Sequence, residues 1–209
     1  MDTVAVDRSP FDAIPAQAVA PTPARPRLLF IGTALASAAV ASGFSGLVGL
    51  YVAARADLRA TGQVWLPRGV EIPLTQPNMM AFTLVFSAVT MYWAVSSIKN
   101  DDRNNATIAL AMSTLFGFAY IAQTAYLLTI MGMPVRGDEL ARPPLFYAII
   151  GSHIVIMLAA VLYAVVMWLR TLGGEYSAKD VEGIRGAAMF WYVAVGLYLV
   201  FWYAIYITK

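Results

Sequence analysis

The sequence of 209 residues contains no cysteine and a single histidine. The first absence removes disulfides, thiolate metal sites and cysteine nucleophiles together. With one imidazole beside it, the chain alone is a poor source of haem, copper or iron ligands. Charge is scarce as well: 12% of residues are Asp, Glu, Lys or Arg, about half of what soluble domains carry. A formal net charge of +2 without a basic cluster argues against a nucleic-acid partner. All 12 acidic residues fall in the N-terminal tail or in connecting segments. No carboxylate pair therefore stands at membrane depth for acid–base work or an ion path. No Ser–His–Asp set can be built around a histidine whose neighbours are Ile150, Ile154, Ile156 and Met157. Gly173-Gly174 reads as a helix terminator rather than a phosphate loop. No internal repeat supports an inverted-repeat transporter. The chain is thus assigned no catalytic, cofactor-binding or metal-ligating residue of its own.

What is present is apolar length. Hydrophobic residues make up 60% of the chain, spread over nearly every segment, which predicts an all-α, polytopic membrane protein. Five apolar runs, at about 28–54, 78–98, 106–131, 144–170 and 186–208, each reach the roughly 20 residues needed to cross a bilayer. They form one transmembrane domain over 28–209. Residues 1–27 carry Pro10, Pro15, Pro21, Pro23 and Pro26 with little to bury, and read as a disordered tail. Its acidic start and the lack of a prompt apolar core exclude a secretory signal. In the loop after the first run, Trp65 suits an interfacial anchor.

The fourth run, Pro143 to Arg170, holds His153, the one histidine. A histidine at that depth is costly and faces protein or trapped water rather than lipid. It is either a packed residue bonded to a neighbouring helix or a ligand or proton carrier; the latter needs partners that the sequence does not supply. Gln123 and Thr124 in the third run can bond across helices. A structural histidine would pair with Gln123 or Tyr192. The last run is heavily aromatic, Trp191 and Tyr192 included, and rings inside such a run more often pack than bind a cofactor. In the first run Ala34, Ala38, Ser42 and Gly46 recur every fourth residue. That spacing makes a small-residue seam, toward another helix of this chain or toward a partner subunit. With five spans the termini lie on opposite sides. Arg8, Arg25, Arg27, Lys99, Arg103, Arg170, Lys179 and Arg185 stand against Arg55, Arg59, Arg68, Arg136, Arg142 and Lys209. The excess favours a cytoplasmic N-terminus.

The ordered landmarks resemble subunit III of the haem-copper oxidases (cytochrome c oxidase), in the short five-helix form found in bacteria. Tyr51-Val-Ala-Ala-Arg55 resembles that family's aromatic-then-Ala-Arg exit from its helix. Trp65-Leu-Pro67 then precedes Asn78, which opens the next helix. Gln123 stands where the family has Gln or Glu before a Glu-Tyr pair, and Phe146-Tyr147 with Gly151-Ser152-His153 matches the start of its Gly-x-His-Gly-x-His-Val stretch. Arg170-Thr171, Tyr176-Ser177 and Gly183-Ile184 resemble the next loop, and Phe190-Trp191-Tyr192 falls on a Tyr-Trp-His run. The likeness runs from about Leu28 to the C-terminus. It departs at the ionisable positions: Val40, Tyr126, Ile156, Tyr192 and Val195 stand where acidic residues or histidines are expected.

The resemblance implies a divergent, non-catalytic subunit of an aerobic respiratory terminal oxidase in the plasma membrane. It would pack against the catalytic subunit I and other oxidase subunits and bind phospholipid, with haem and copper in the partner subunits. Arg55 and Arg170 would be its candidate headgroup contacts. Two alternatives stand beside it: a subunit III-like accessory protein of a nitric oxide reductase, and a stand-alone small membrane carrier or receptor.

Overall fold

The computed structural model describes residues 27–63, 70, 72–132 and 142–208, without the side chains of 142 and 143. The expected disordered tail, the Trp65 anchor and most of the charged segment before Pro143 lie outside these residues. Five helices follow one another: α1 (Leu28–Ala60), α2 (Thr75–Lys99), α3 (Arg103–Ile130), α4 (Arg142–Leu172) and α5 (Glu182–Phe201), the last continuing as a π-helical stretch over Trp202–Ile207. All five are long and apolar enough to cross a membrane. The protein is an all-α, polytopic membrane bundle.

The helices outrun the apolar runs that predict them. α1 has 33 residues, about 50 Å at 1.5 Å per residue, against a hydrocarbon core of about 30 Å. A helix once started costs little to extend, so α1 carries on through the polar Arg55–Ala60 segment. The turn between α2 and α3 is tight because Asp101 adopts φ 56°, a left-handed conformation that Asp tolerates better than most residues. Asp102 then caps α3, its carboxylate accepting from the Asn105 amide at 3.0 Å. α2 and α3 consequently pair as an antiparallel hairpin, the most extensive helix pair in the bundle.

α5 is the organising helix, touching α1, α2 and α4, whereas α1 packs on α4 and α5 alone to any extent. The core is dense where α3 meets them: a Cβ on Gly117 would lie 2.5 Å from Val161 and 2.8 Å from Trp191. Only a glycine lets the α3 backbone approach that closely. Outward faces carry Phe82, Phe86, Leu115, Val155 and Leu162, all exposed, as lipid-facing positions should.

Candidate functional site

His153 sits at the centre of the bundle with no exposed surface. α4 presents it to α3 on one side and to α5 on the other. Its Nδ1 lies 2.7 Å from the Tyr120 hydroxyl and its Nε2 lies 2.9 Å from the Ala194 carbonyl oxygen. A carbonyl only accepts, so Nε2 carries the proton and donates, and Nδ1 accepts from Tyr120. A neutral imidazole satisfies both partners at once. Around it stand the rings of Phe44, Tyr120, Tyr198 and Phe201, with centroids 5.0 to 5.7 Å from the imidazole centroid. Four helices thus contribute to one aromatic box closed by two hydrogen bonds.

The partners differ from the two expected. Gln123 lies one turn beyond Tyr120 on α3 and bonds Thr83 of α2, Nε2 to Oγ1 at 3.1 Å. Tyr192 is 39% exposed on the outer face of α5. Its neighbour Trp191 faces inward, fully buried, donating its indole N–H to Ser87 of α2 at 2.9 Å. Thr124 bonds back to its own helix, at the Tyr120 carbonyl. The sequence reading missed Tyr120 and Ser87, which carry no motif. A central tyrosine in an apolar run is the one signal that could have found the first, because its hydroxyl needs a partner when buried.

Other cross-helix bonds share the same character. Thr90 and Ser113 join α2 to α3 at 2.7 Å, and Tyr198 donates to the Pro77 carbonyl at 2.7 Å. Trp202 donates to Asn78 at 3.0 Å. These polar groups hold helices to one another. Among the described residues no three of His, Cys, Asp and Glu converge.

The small-residue seam of α1 points away from the bundle. Ala38, Ser42 and Gly46 are exposed, and a Cβ on Gly46 would meet nothing within 4 Å. The face that packs inward is rotated from it: Thr33, Ser37, Phe44, Val48, Tyr51, Arg55 and Leu58. Of the two directions open to the seam, another of the described helices of this chain is therefore not the one taken. Arg55, expected among the headgroup contacts, turns inward instead and is 9% exposed. Its guanidinium donates to the Ala204 carbonyl and the Thr208 hydroxyl, each at 3.0 Å, and to the Thr208 carbonyl. A π-helical end leaves carbonyls without intrahelical partners, and a cation at a helix C-terminus meets both that need and the dipole. Arg170 stays at the surface, paired with Glu175 and stacked 5.2 Å from the Tyr176 ring centroid.

Fold and site together define a class: a helical membrane bundle, polytopic, with hydrogen bonds across its helices and a single buried histidine at its centre. The family model for cytochrome c oxidase subunit III matches residues 36–209. The chain belongs to the cytochrome c oxidase subunit III family. Among curated relatives, cytochrome c oxidase subunit 3 of Petromyzon marinus is 25% identical over 158 residues, 75% of this chain and 60% of the relative. The Drosophila yakuba protein of that name is 27% identical over 149 residues, 70% of this chain and 55% of the relative. The Rattus norvegicus one is 26% identical over 149 residues, 69% and 56% respectively. The chain spans less than two thirds of the length of these relatives.

Proposed function

We propose that the chain is a non-catalytic subunit of an aerobic terminal oxidase in the plasma membrane, seated against the catalytic subunit I and binding phospholipid, with its N-terminus in the cytoplasm. The observation that carries this is the outward seam of α1. Ala38, Ser42 and Gly46 form a stripe where another helix can approach closely, and none of the described helices of this chain takes it. Family membership supports an oxidase subunit as that partner. Haem and copper belong to partner subunits on this reading. The fit to this chain is poor, since both ring nitrogens of its only histidine are already bonded to Tyr120 and Ala194. The basic residues favour the cytoplasm for the N-terminal side of the bundle.

The test is purification of the tagged protein in mild detergent, followed by a visible spectrum and identification of the co-purifying chains. Haem absorbance together with a haem-bearing, copper-containing subunit is the expected result. A binuclear centre with non-haem iron in place of copper would move the chain to a nitric oxide reductase. A pure chain without haem-bearing partners would overturn the proposal in favour of a stand-alone carrier or receptor.

A further inference from the structure

Arg55 and Arg170 are both engaged by protein groups, which leaves the lipid-binding part of that reading without a headgroup contact. A different place in the bundle supplies one. Between the end of α2 and the start of α5 lies a groove of about 480 Å3 whose lining includes Tyr92, Ala188, Tyr192, Lys99 and Arg185. That volume lies in the roughly 300–1,000 Å3 range of small-molecule sites. Lys99 ends α2 and Arg185 lies in the first turn of α5, and the two helices run antiparallel, so both cations stand at the same end of the groove. Tyr92 and Tyr192 lie about two turns, or about 10 Å, deeper along their helices.

The charge on this groove is of one sign. No carboxylate lines it, and among the described residues the one ion pair is Arg170–Glu175, elsewhere on that end of the bundle. Arg185 is held in place by stacking, its guanidinium 5.7 Å from the Phe30 ring centroid. The carboxylate nearest in sequence, Glu182, is engaged by the Phe30 amide at 3.0 Å. Two cations at the rim, an apolar floor at Ala188 and tyrosines at mid-depth match a molecule with an anionic head and a long apolar tail. The groove lies on the N-terminal side of the bundle, which the proposed topology places in the leaflet with the more negative surface.

We propose that this groove is a site for one anionic phospholipid, its phosphate between Lys99 and Arg185 and an acyl chain lying along Tyr92 and Tyr192. The proposal rests on the subunit reading for the orientation of the membrane, not for the chemistry of the site. A basic residue near the surface gives about a fivefold preference for anionic over zwitterionic lipid.

The test uses the complex as purified, reconstituted in phosphatidylcholine nanodiscs doped with a minor fraction of phosphatidylglycerol. Phosphatidylglycerol retained per complex is counted by native mass spectrometry after release. Lys99→Gln and Arg185→Gln should each lower its retention about fivefold. Arg103→Gln, which removes a charge from the same membrane face outside the groove, should leave it unchanged. Haem absorbance recorded on every sample keeps the two claims separate. Equal retention in wild type and the Lys99→Gln/Arg185→Gln double variant, with haem intact, overturns the lipid site alone. So does a partner helix found seated in the groove. Loss of haem from every preparation, with the charge-dependent retention preserved, overturns the subunit reading and leaves the site standing.

Discussion

Helices α1 and α5 are both long and strongly apolar, yet the chain treats them differently. In the most apolar stretch of α5, 50% of residues are buried within the protein; in that of α1 the share is 11%. α5 presents Trp191, Ala194, Tyr198 and Phe201 to three other helices. α1 presents one narrow face, and turns its small residues outward. Hydropathy does not separate these cases, because lipid tails and protein interiors are equally apolar. Shape does: bulky rings with N–H or O–H groups need partners of fitted geometry, whereas a strip of Ala, Ser and Gly offers only closeness.

The contrast can be broken most severely at Trp191. Trp191→Ala removes the largest fully buried side chain and the indole donor to the Ser87 hydroxyl, which keeps only its bond to the Leu84 carbonyl. A loss of about 4 kcal/mol is expected, read as an earlier midpoint when the purified protein is titrated with sodium dodecyl sulfate. Next comes Gly117→Val, which forces a branched side chain into the contact with Val161 and Trp191 and should cost about 2 kcal/mol. The matched change on α1, Gly46→Val, should leave the same midpoint of the isolated chain within about 0.5 kcal/mol, since nothing lies within 4 Å of its Cβ. Equal shifts from the two glycine variants would erase the distinction between the helices.

His153 sharpens the comparison from the inside. His153→Leu leaves the Tyr120 hydroxyl without its imidazole acceptor and the Ala194 carbonyl with only its own helix's amide, a loss of about 2 kcal/mol. His153→Gln keeps an acceptor for Tyr120 and a donor for Ala194. On the subunit reading it leaves oxygen consumption and its pH profile in proteoliposomes nearly unchanged. A displaced pH optimum in the Gln variant, with normal assembly, would show that His153 titrates during turnover.

The smallest expected effect lies at the α3 cap. The amide and side chain of Asn105 hold the Asp102 carboxyl below its ordinary value. A carboxyl depressed in the folded state contributes stability above its unfolded pKa and loses it as pH falls through the folded value. Protection of the first-turn amides of α3, measured as exchange relative to each amide's intrinsic rate at that pH, should therefore fall on acidification in wild type and be low at every pH in Asp102→Ala. A pH-independent wild-type protection would contradict the cap.

Five membrane-length helices and a buried histidine were legible from apolar run length and the cost of burying imidazole. The rotation of each helix was not. Membrane helices are apolar on every side, so the pattern that orients a soluble amphipathic helix is missing. Hence Tyr120 rather than Gln123 faces His153, and Ala194 rather than Tyr192, although each pair sits within one turn of its helix. Arg55 shows a second limit. An arginine closing an apolar run reads as an interfacial contact, and the carbonyls of a π-helical end more than 140 residues away, at Ala204 and Thr208, leave no trace in local sequence.

The central claim is that α1 is left open for a partner. The direct measurement is the yield of haem-containing complex recovered through a tag on this chain, for wild type and for the Ala38→Leu/Gly46→Leu double variant, alongside the thermal stability of the isolated chain. An isobutyl group does not fit where two backbones nearly touch. The account predicts a large drop in recovered haem with the isolated chain as stable as wild type. Undiminished haem recovery from the double variant would contradict it.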